Sequence, residues 1–193
     1  MKKFARRRGL LTTHLNAYEV ELLSSLVSQL VELVSDGEPG GFEVAEEEPA
    51  DLFEAIVADL QVDPDEPEQS EDPVLKRLFP SAYPADPAAS SDFRRFTERS
   101  LKAKKVADAQ VVLDRLAGTE QGRHELRVPP EEVDAWLRTL TSVRLALATR
   151  LGITDAESAD LLSELPAEDP RTFMVSVYDW LGFAEETMIS AMR

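Results

Sequence analysis

The stretch from Ser91 to Ala117, SDFRRFTERSLKAKKVADAQVVLDRLA, reads as a single helix closed by Gly118 as a C-cap. At about 1.5 Å per residue it spans roughly 40 Å, long enough to cross an entire domain. Any fold must therefore be built around it. The stretch also carries most of the clustered positive charge of an otherwise acidic chain, so it is the place where a nucleic-acid or acidic-partner contact is most natural.

The formal net charge of -16 argues against a general affinity for nucleic acid, because phosphate binding rests on clustered Lys and Arg. Its distribution changes that reading. Asp36 to Asp72 holds 15 of the 37 acidic residues and no basic one, leaving 22 acidic against 21 basic residues elsewhere. The imbalance thus belongs to one Pro-, Gly- and Glu-rich segment, and the rest is nearly neutral.

The 193 residues are enough for one domain with a sizeable core. We expect a mainly α, single helical domain over 1–193, with a long central helix, a small N-terminal antiparallel β-sheet and an acidic, partly disordered insertion at about 36–71. The first 15 residues form two short strands turning at Gly9, with Lys2, Lys3, Arg6, Arg7 and Arg8 gathered there. Asn16 and Glu19 make a capping box for an amphipathic helix ending near Val34. Pro49 to Leu60 has the spacing of a short helix between acidic linkers, and like charge from Asp63 to Glu71 opposes compact structure.

Asp72 and Pro73 start another short helix, stopped by Pro80, and SAYPADPAASS is a loop before the basic helix. GRHELRV alternates like a strand and is expected to join the hairpin in a three-stranded sheet. Pro129 and Pro130 open a helix whose Val133, Trp136, Leu137, Leu140, Val143, Leu147 and Leu151 share one face, closed by Gly152. Thr154 caps a short helix to Leu165. Asp169 and Pro170 start the last one, with Phe173, Val177, Trp180, Leu181, Ala184 and Met188 as its apolar face.

Chemistry is mostly excluded. With no cysteine, disulfides, thiolate nucleophiles and thiol redox switches do not arise in this chain. The two histidines, His14 and His124, fall in expected strands without a partner at metal-ligand spacing. Gly37, Gly40 and Gly41 lie among carboxylates that would repel phosphate, and the carboxylates themselves offer no preorganised acid–base pair. No cofactor is implied, and we expect no enzyme. No run approaches the roughly 20 apolar residues of a membrane helix, which makes the cytoplasm the expected location.

On the long helix, Arg95, Arg99 and Lys102 fall within about 60° of one another, beside an apolar arc of Phe93, Phe96, Ala103, Ala107 and Val111. One reading is a solvated face whose charges pair with nearby carboxylates. The other is a surface for DNA or a partner, formed by Arg94, Arg95, Arg99, Lys102 and Lys105 and joined by Arg6 to Arg8 if the hairpin packs nearby, over which the acidic segment competes with DNA. Arg144 sits between Leu137, Leu140, Leu147 and Leu151 on an apolar face, so it needs a carboxylate. Asp179 or Glu98 is the expected partner in a structural ion pair, with a ligand-binding Arg as the alternative. Trp136, Trp180, Tyr178 and Phe183 read as core.

The segments DPVLKRLFPSAYPAD (72–86), DFRRFTERSLKAKKVADAQVVLDRL (92–116), WLRTLTSVRLALATRLGI (136–153) and VYDWLGFAEETMISAM (177–192), in this order, resemble the actinobacterial oxidative stress transcriptional regulator AosR family, formerly a domain-of-unknown-function family. The resemblance implies a cytoplasmic regulator acting with the transcription machinery, a sigma factor or RNA polymerase, at promoter DNA. Regulation in the named member resembles a thiol switch on a close cysteine pair, and no such residue carries over to this chain. An interaction adaptor without DNA contact is the alternative reading, and a homodimer stays open. A helix-turn-helix is not evident, because the second helix of the pair Arg150 to Leu165 is rich in Asp155, Glu157, Asp160 and Glu164.

Overall fold

The computed structural model describes residues 1–35, 70–166 and 168–193. The expected helix at 49–60 and the acidic linkers around it lie outside the described residues. Strands β1 (Ala5–Arg7) and β2 (Leu10–Thr13) form a hairpin through Arg8 and Gly9, and β3 (Leu126–Val128) adds antiparallel to β2. Arg6 opposes Leu11, and Leu11 in turn opposes Val128, so the expected three-stranded sheet forms in the order β1-β2-β3. Its third strand is shorter than expected. Gly122 to His124 belong to the preceding turn, and both histidines are exposed and outside the strands.

Six helices follow among the described residues: α1 (Ala17–Ser35), α2 (Pro73–Leu78), α3 (Pro87–Ala117), α4 (Val133–Leu151), α5 (Ala156–Ser163) and α6 (Thr172–Met192). The capping box of α1 is complete, with the Glu19 amide donating to Asn16 Oδ1 and the Asn16 amide to Glu19 Oε2, each at 2.9 Å. Val20, Leu23, Val27, Leu30 and Val34 bury one stripe of α1 at helical spacing. At α2, Asp72 caps the Val74 amide at 2.7 Å and also accepts from Arg150 at 2.8 Å, which ties α2 to the end of α4.

The long helix begins four residues earlier than expected. Asp86 accepts from the Ala89 amide at 3.0 Å and Pro87 occupies the first turn, so PAASS is helix rather than loop. The same Asp-Pro signature had marked α2. The short helix α5 is capped by Asp155, in a capping box with Ser158, rather than by Thr154. Helix α6 starts at Thr172, because Asp169 is used in a turn whose carboxylate accepts from both the amide and the guanidinium of Arg171.

The main core joins α1, α2, the second half of α3, α4, α6 and the sheet, with Val27, Val112, Leu116, Trp136, Leu140, Leu181 and Met188 fully enclosed. A smaller cluster of Ala148, Leu151, Ile153, Leu162 and Val175 seats α5 on α4 and α6. Phe173, expected on the buried face of α6, is instead exposed. No helix of the described residues is long and apolar enough to cross a membrane.

Two glycines with positive φ separate backbone strain from collision. At Gly152 (φ +75) an added Cβ meets open space, whereas at Gly122 (φ +79) it lies 2.5 Å from the Leu15 carbonyl oxygen. Gly152→Ala is expected to cost about 1 kcal/mol of unfolding free energy and Gly122→Ala at least about 2 kcal/mol more, measured by urea denaturation.

Candidate functional site

Helix α3 divides into two halves with different surroundings. From Asp108 onward, Asp108, Ala109, Val112 and Leu116 are buried against α1 and α4. Between Pro87 and Lys104 only Ser90 is buried, and its hydroxyl is held by the Tyr83 amide and carbonyl in the preceding loop rather than by the core. This half leans on the loop at 79–83, with Phe93 edge-on to Tyr83 at 5.9 Å. Of the apolar arc expected to pack, Phe93, Phe96 and Ala107 are exposed while Ala103 and Val111 are half-buried, Val111 against the core, and Leu101 outside the arc is exposed as well. Packing instead follows the Asp108–Val112–Leu116 line.

The expected contact residues separate accordingly. Arg95 is exposed and its guanidinium lies 4.9 Å from the centre of the Phe96 ring. Arg99 is exposed beside it. Arg94 and Lys102 converge on one carboxylate, Glu98, at 3.8 and 3.0 Å, which offsets much of their charge. Lys105 leaves this surface altogether. It is half-buried against α4, donates to Ser142 Oγ at 3.0 Å and stands 5.7 Å from the centre of the Phe79 ring. Arg6 to Arg8 lie on the sheet, which meets α3 at its opposite end near Arg115, so they do not join this patch.

A charged cluster missed in the sequence sits where the two halves of α3 meet. Asp108 accepts from Arg138 Nε at 2.7 Å and Nη2 at 3.2 Å, and from Lys104 Nζ at 3.5 Å. Burial pushes its carboxyl up, but hydrogen bonding and charge from Arg138, helped by Lys104, hold it below the usual aspartate value. For Lys105, burial outweighs the attraction of Asp108 and lowers the ammonium pKa. The available signal was Asp108 itself, a charge at i, i+4, i+8 spacing with Val112 and Leu116, the same anomaly that drew attention to Arg144.

Arg144 is paired, but not with the expected residues. Its Nη1 donates to Glu185 Oε2 at 3.3 Å, and its guanidinium stacks 4.4 Å from the Tyr178 ring centre and packs over Gly182. Thr141 donates to the other Glu185 oxygen at 2.7 Å. Asp179 is exposed and takes no part, and Glu98 belongs to the projecting half of α3. Asp179 and Glu185 are six residues apart on α6, about 240° around the helix, so they face different sides. Arg144, Arg77, Tyr178 and Glu185 line an open recess of about 330 Å³ with Leu137, Leu145 and Ile189.

Fold and surface define a mainly helical protein with one long helix that is half core and half presented. Residues 1–192 match the family described as Domain of unknown function (DUF2017), and this chain belongs to that family. A Mycobacterium leprae protein named "Putative oxidative stress regulator AosR" is 30% identical to it over 188 residues, 91% of this chain and 79% of the relative. No solved structure gives a significant match.

Replacing Asp108 by Asn removes the charge that strengthens the Arg138 and Lys104 hydrogen bonds at the helix crossing. We expect Asp108→Asn to lower unfolding free energy by about 2 kcal/mol at pH 7. Because the folded-state pKa of Asp108 is depressed, this stabilisation is fully present above the ordinary aspartate value of 3.8 and is lost as pH falls through the lower folded value. The gap between wild type and variant should therefore stay constant from pH 7 to about pH 5 and close only on the acid side, as measured by denaturation across pH.

Proposed function

We propose that this chain is a non-enzymatic, transcription-associated regulator that docks the projecting half of α3 on a protein of the transcription machinery, such as a sigma factor or a polymerase subunit. The observation that carries this reading is the surface itself. Phe93, Phe96 and Leu101 are exposed along one helix half together with Arg95 and Arg99. Arginine and large aromatic residues are the types enriched in protein interfaces, where a ring supplies buried area and a guanidinium pairs with a carboxylate.

Direct DNA binding is the weaker reading. Of the five cations expected to form the surface, Arg94 and Lys102 share Glu98, and Lys105 points into the body. What is left is exposed apolar area beside Arg95 and Arg99, which suits a protein face better than a row of phosphates. The regulatory part of the proposal is supported by the name of the Mycobacterium leprae relative. A thiol switch is not open to this chain, which has no cysteine.

Two measurements test this. Capture of transcription-machinery proteins from cells by the tagged chain is expected to be lost in Arg95→Glu/Phe96→Ser and kept in Arg171→Gln, which lies far along the chain. Titration of promoter duplex across a salt series should give little binding and a flat response. Undiminished capture by the double variant would remove the surface from the account, and a steep fall of affinity with salt would move its function to DNA.

A further inference from the structure

At the junction of α1, α3 and α4 lies a recess of about 230 Å³, lined by Leu30 of α1, Leu101, Lys104, Lys105 and Asp108 of α3, and Arg138, Thr139 and Ser142 of α4. We propose that this recess binds a small phosphorylated ligand, with phosphoryl oxygens against the Lys105 ammonium and the rim cations Lys104 and Arg138. The recess shares Leu101 with the partner surface on the projecting half of α3, but its phosphoryl contacts use none of that surface's residues.

Two observations carry it. First, charge: Lys104, Lys105 and Arg138 face the single carboxylate Asp108. That leaves an excess of two positive charges, matching a phosphoryl dianion better than a carboxylate. Second, Lys105 is half-buried with no ion-pair partner among the described residues, its Nζ contact being the neutral Ser142 hydroxyl. Asp108 attracts this ammonium only from beyond ion-pair distance and is itself engaged by Arg138 and Lys104, so the cost of desolvating Lys105 is only partly met, and an arriving anion offsets the rest.

The Ser142 hydroxyl donates to the Arg138 carbonyl at 2.8 Å and so is free only to accept, which it does from Lys105. It orients the ammonium and does not compete for an anion. Asp108 repels an anion, but its oxygens are already engaged by Arg138 and Lys104. Leu30 and Leu101 give an apolar side for a small substituent on the phosphoryl group. The volume suits a free ligand better than a duplex backbone, which would reach only the rim cations.

Calorimetric titration of the full chain with inorganic pyrophosphate, and separately with inorganic phosphate, tests the site. Wild type is expected to bind pyrophosphate saturably at one site. Lys105→Gln should weaken binding about tenfold or more, whereas Arg171→Gln leaves it unchanged. Folding is checked independently, because Lys105→Gln removes a desolvated ammonium, so the variant should melt at or above the wild-type temperature. Absence of saturation up to about 10 mM pyrophosphate, or Lys105→Gln binding as tightly as wild type, would overturn the proposal. A 20-base-pair duplex is expected not to displace pyrophosphate. Displacement that depends on Lys105 would reassign the recess to backbone phosphate and overturn the free ligand.

Discussion

Asp108 is buried where α3 crosses α4, and its carboxylate is held by the Arg138 fork and by Lys104. An ionised carboxylate taken out of water costs several kcal/mol unless its hydrogen bonds are rebuilt with good geometry. A shift of α3 along α4 would break those bonds and leave the charge stranded, so the pair fixes the register of the two helices. C-terminal to this point one face of α3, through Ala109, Val112 and Leu116, lies in the core. From Pro87 to about Leu101 the helix instead stands on the loop at 79–83 and turns most of its side chains outward.

How much of this was legible depended on how local the signal was. The Asn16–Glu19 capping box, the Asp72–Pro73 start and the Gly152 stop are set by contacts within a few residues, and all three stand where the pattern places them. The early start of α3 at Asp86–Pro87 carried the same local signature but was hidden within a segment rich in Pro, Ala and Ser, which reads as loop by composition. The packing face of α3 was not local. Phe93 and Phe96 promised burial by residue type, yet no element of the described residues encloses them, and the buried line instead runs through a carboxylate. Periodicity cannot say which half of a long helix meets the body.

Charge on an apolar face proved the more useful clue, though it identifies an anomaly and not its partner. Arg144 does need a carboxylate, and Glu185, not Asp179, supplies it, because only the former projects toward α4. Lys105 shows the converse. Counted with its neighbours it is one more surface cation, and only the position of Ser142 and Phe79 reveals that it faces inward. The contact surface thereby loses a charge, and the body gains a recess with charge to spare. Together these changes shift the account from phosphate-backbone binding toward a protein-docking face beside a small anion site.

The division of α3 is the claim on which the rest turns, and amide hydrogen exchange tests it most directly. If the account is right, amides from Val106 to Ala117 open only with global unfolding, while those from Ser91 to Lys102 exchange at least about a hundredfold faster through local opening. Uniform protection along all of Pro87–Ala117 would contradict it, showing the whole helix to be part of one cooperative core.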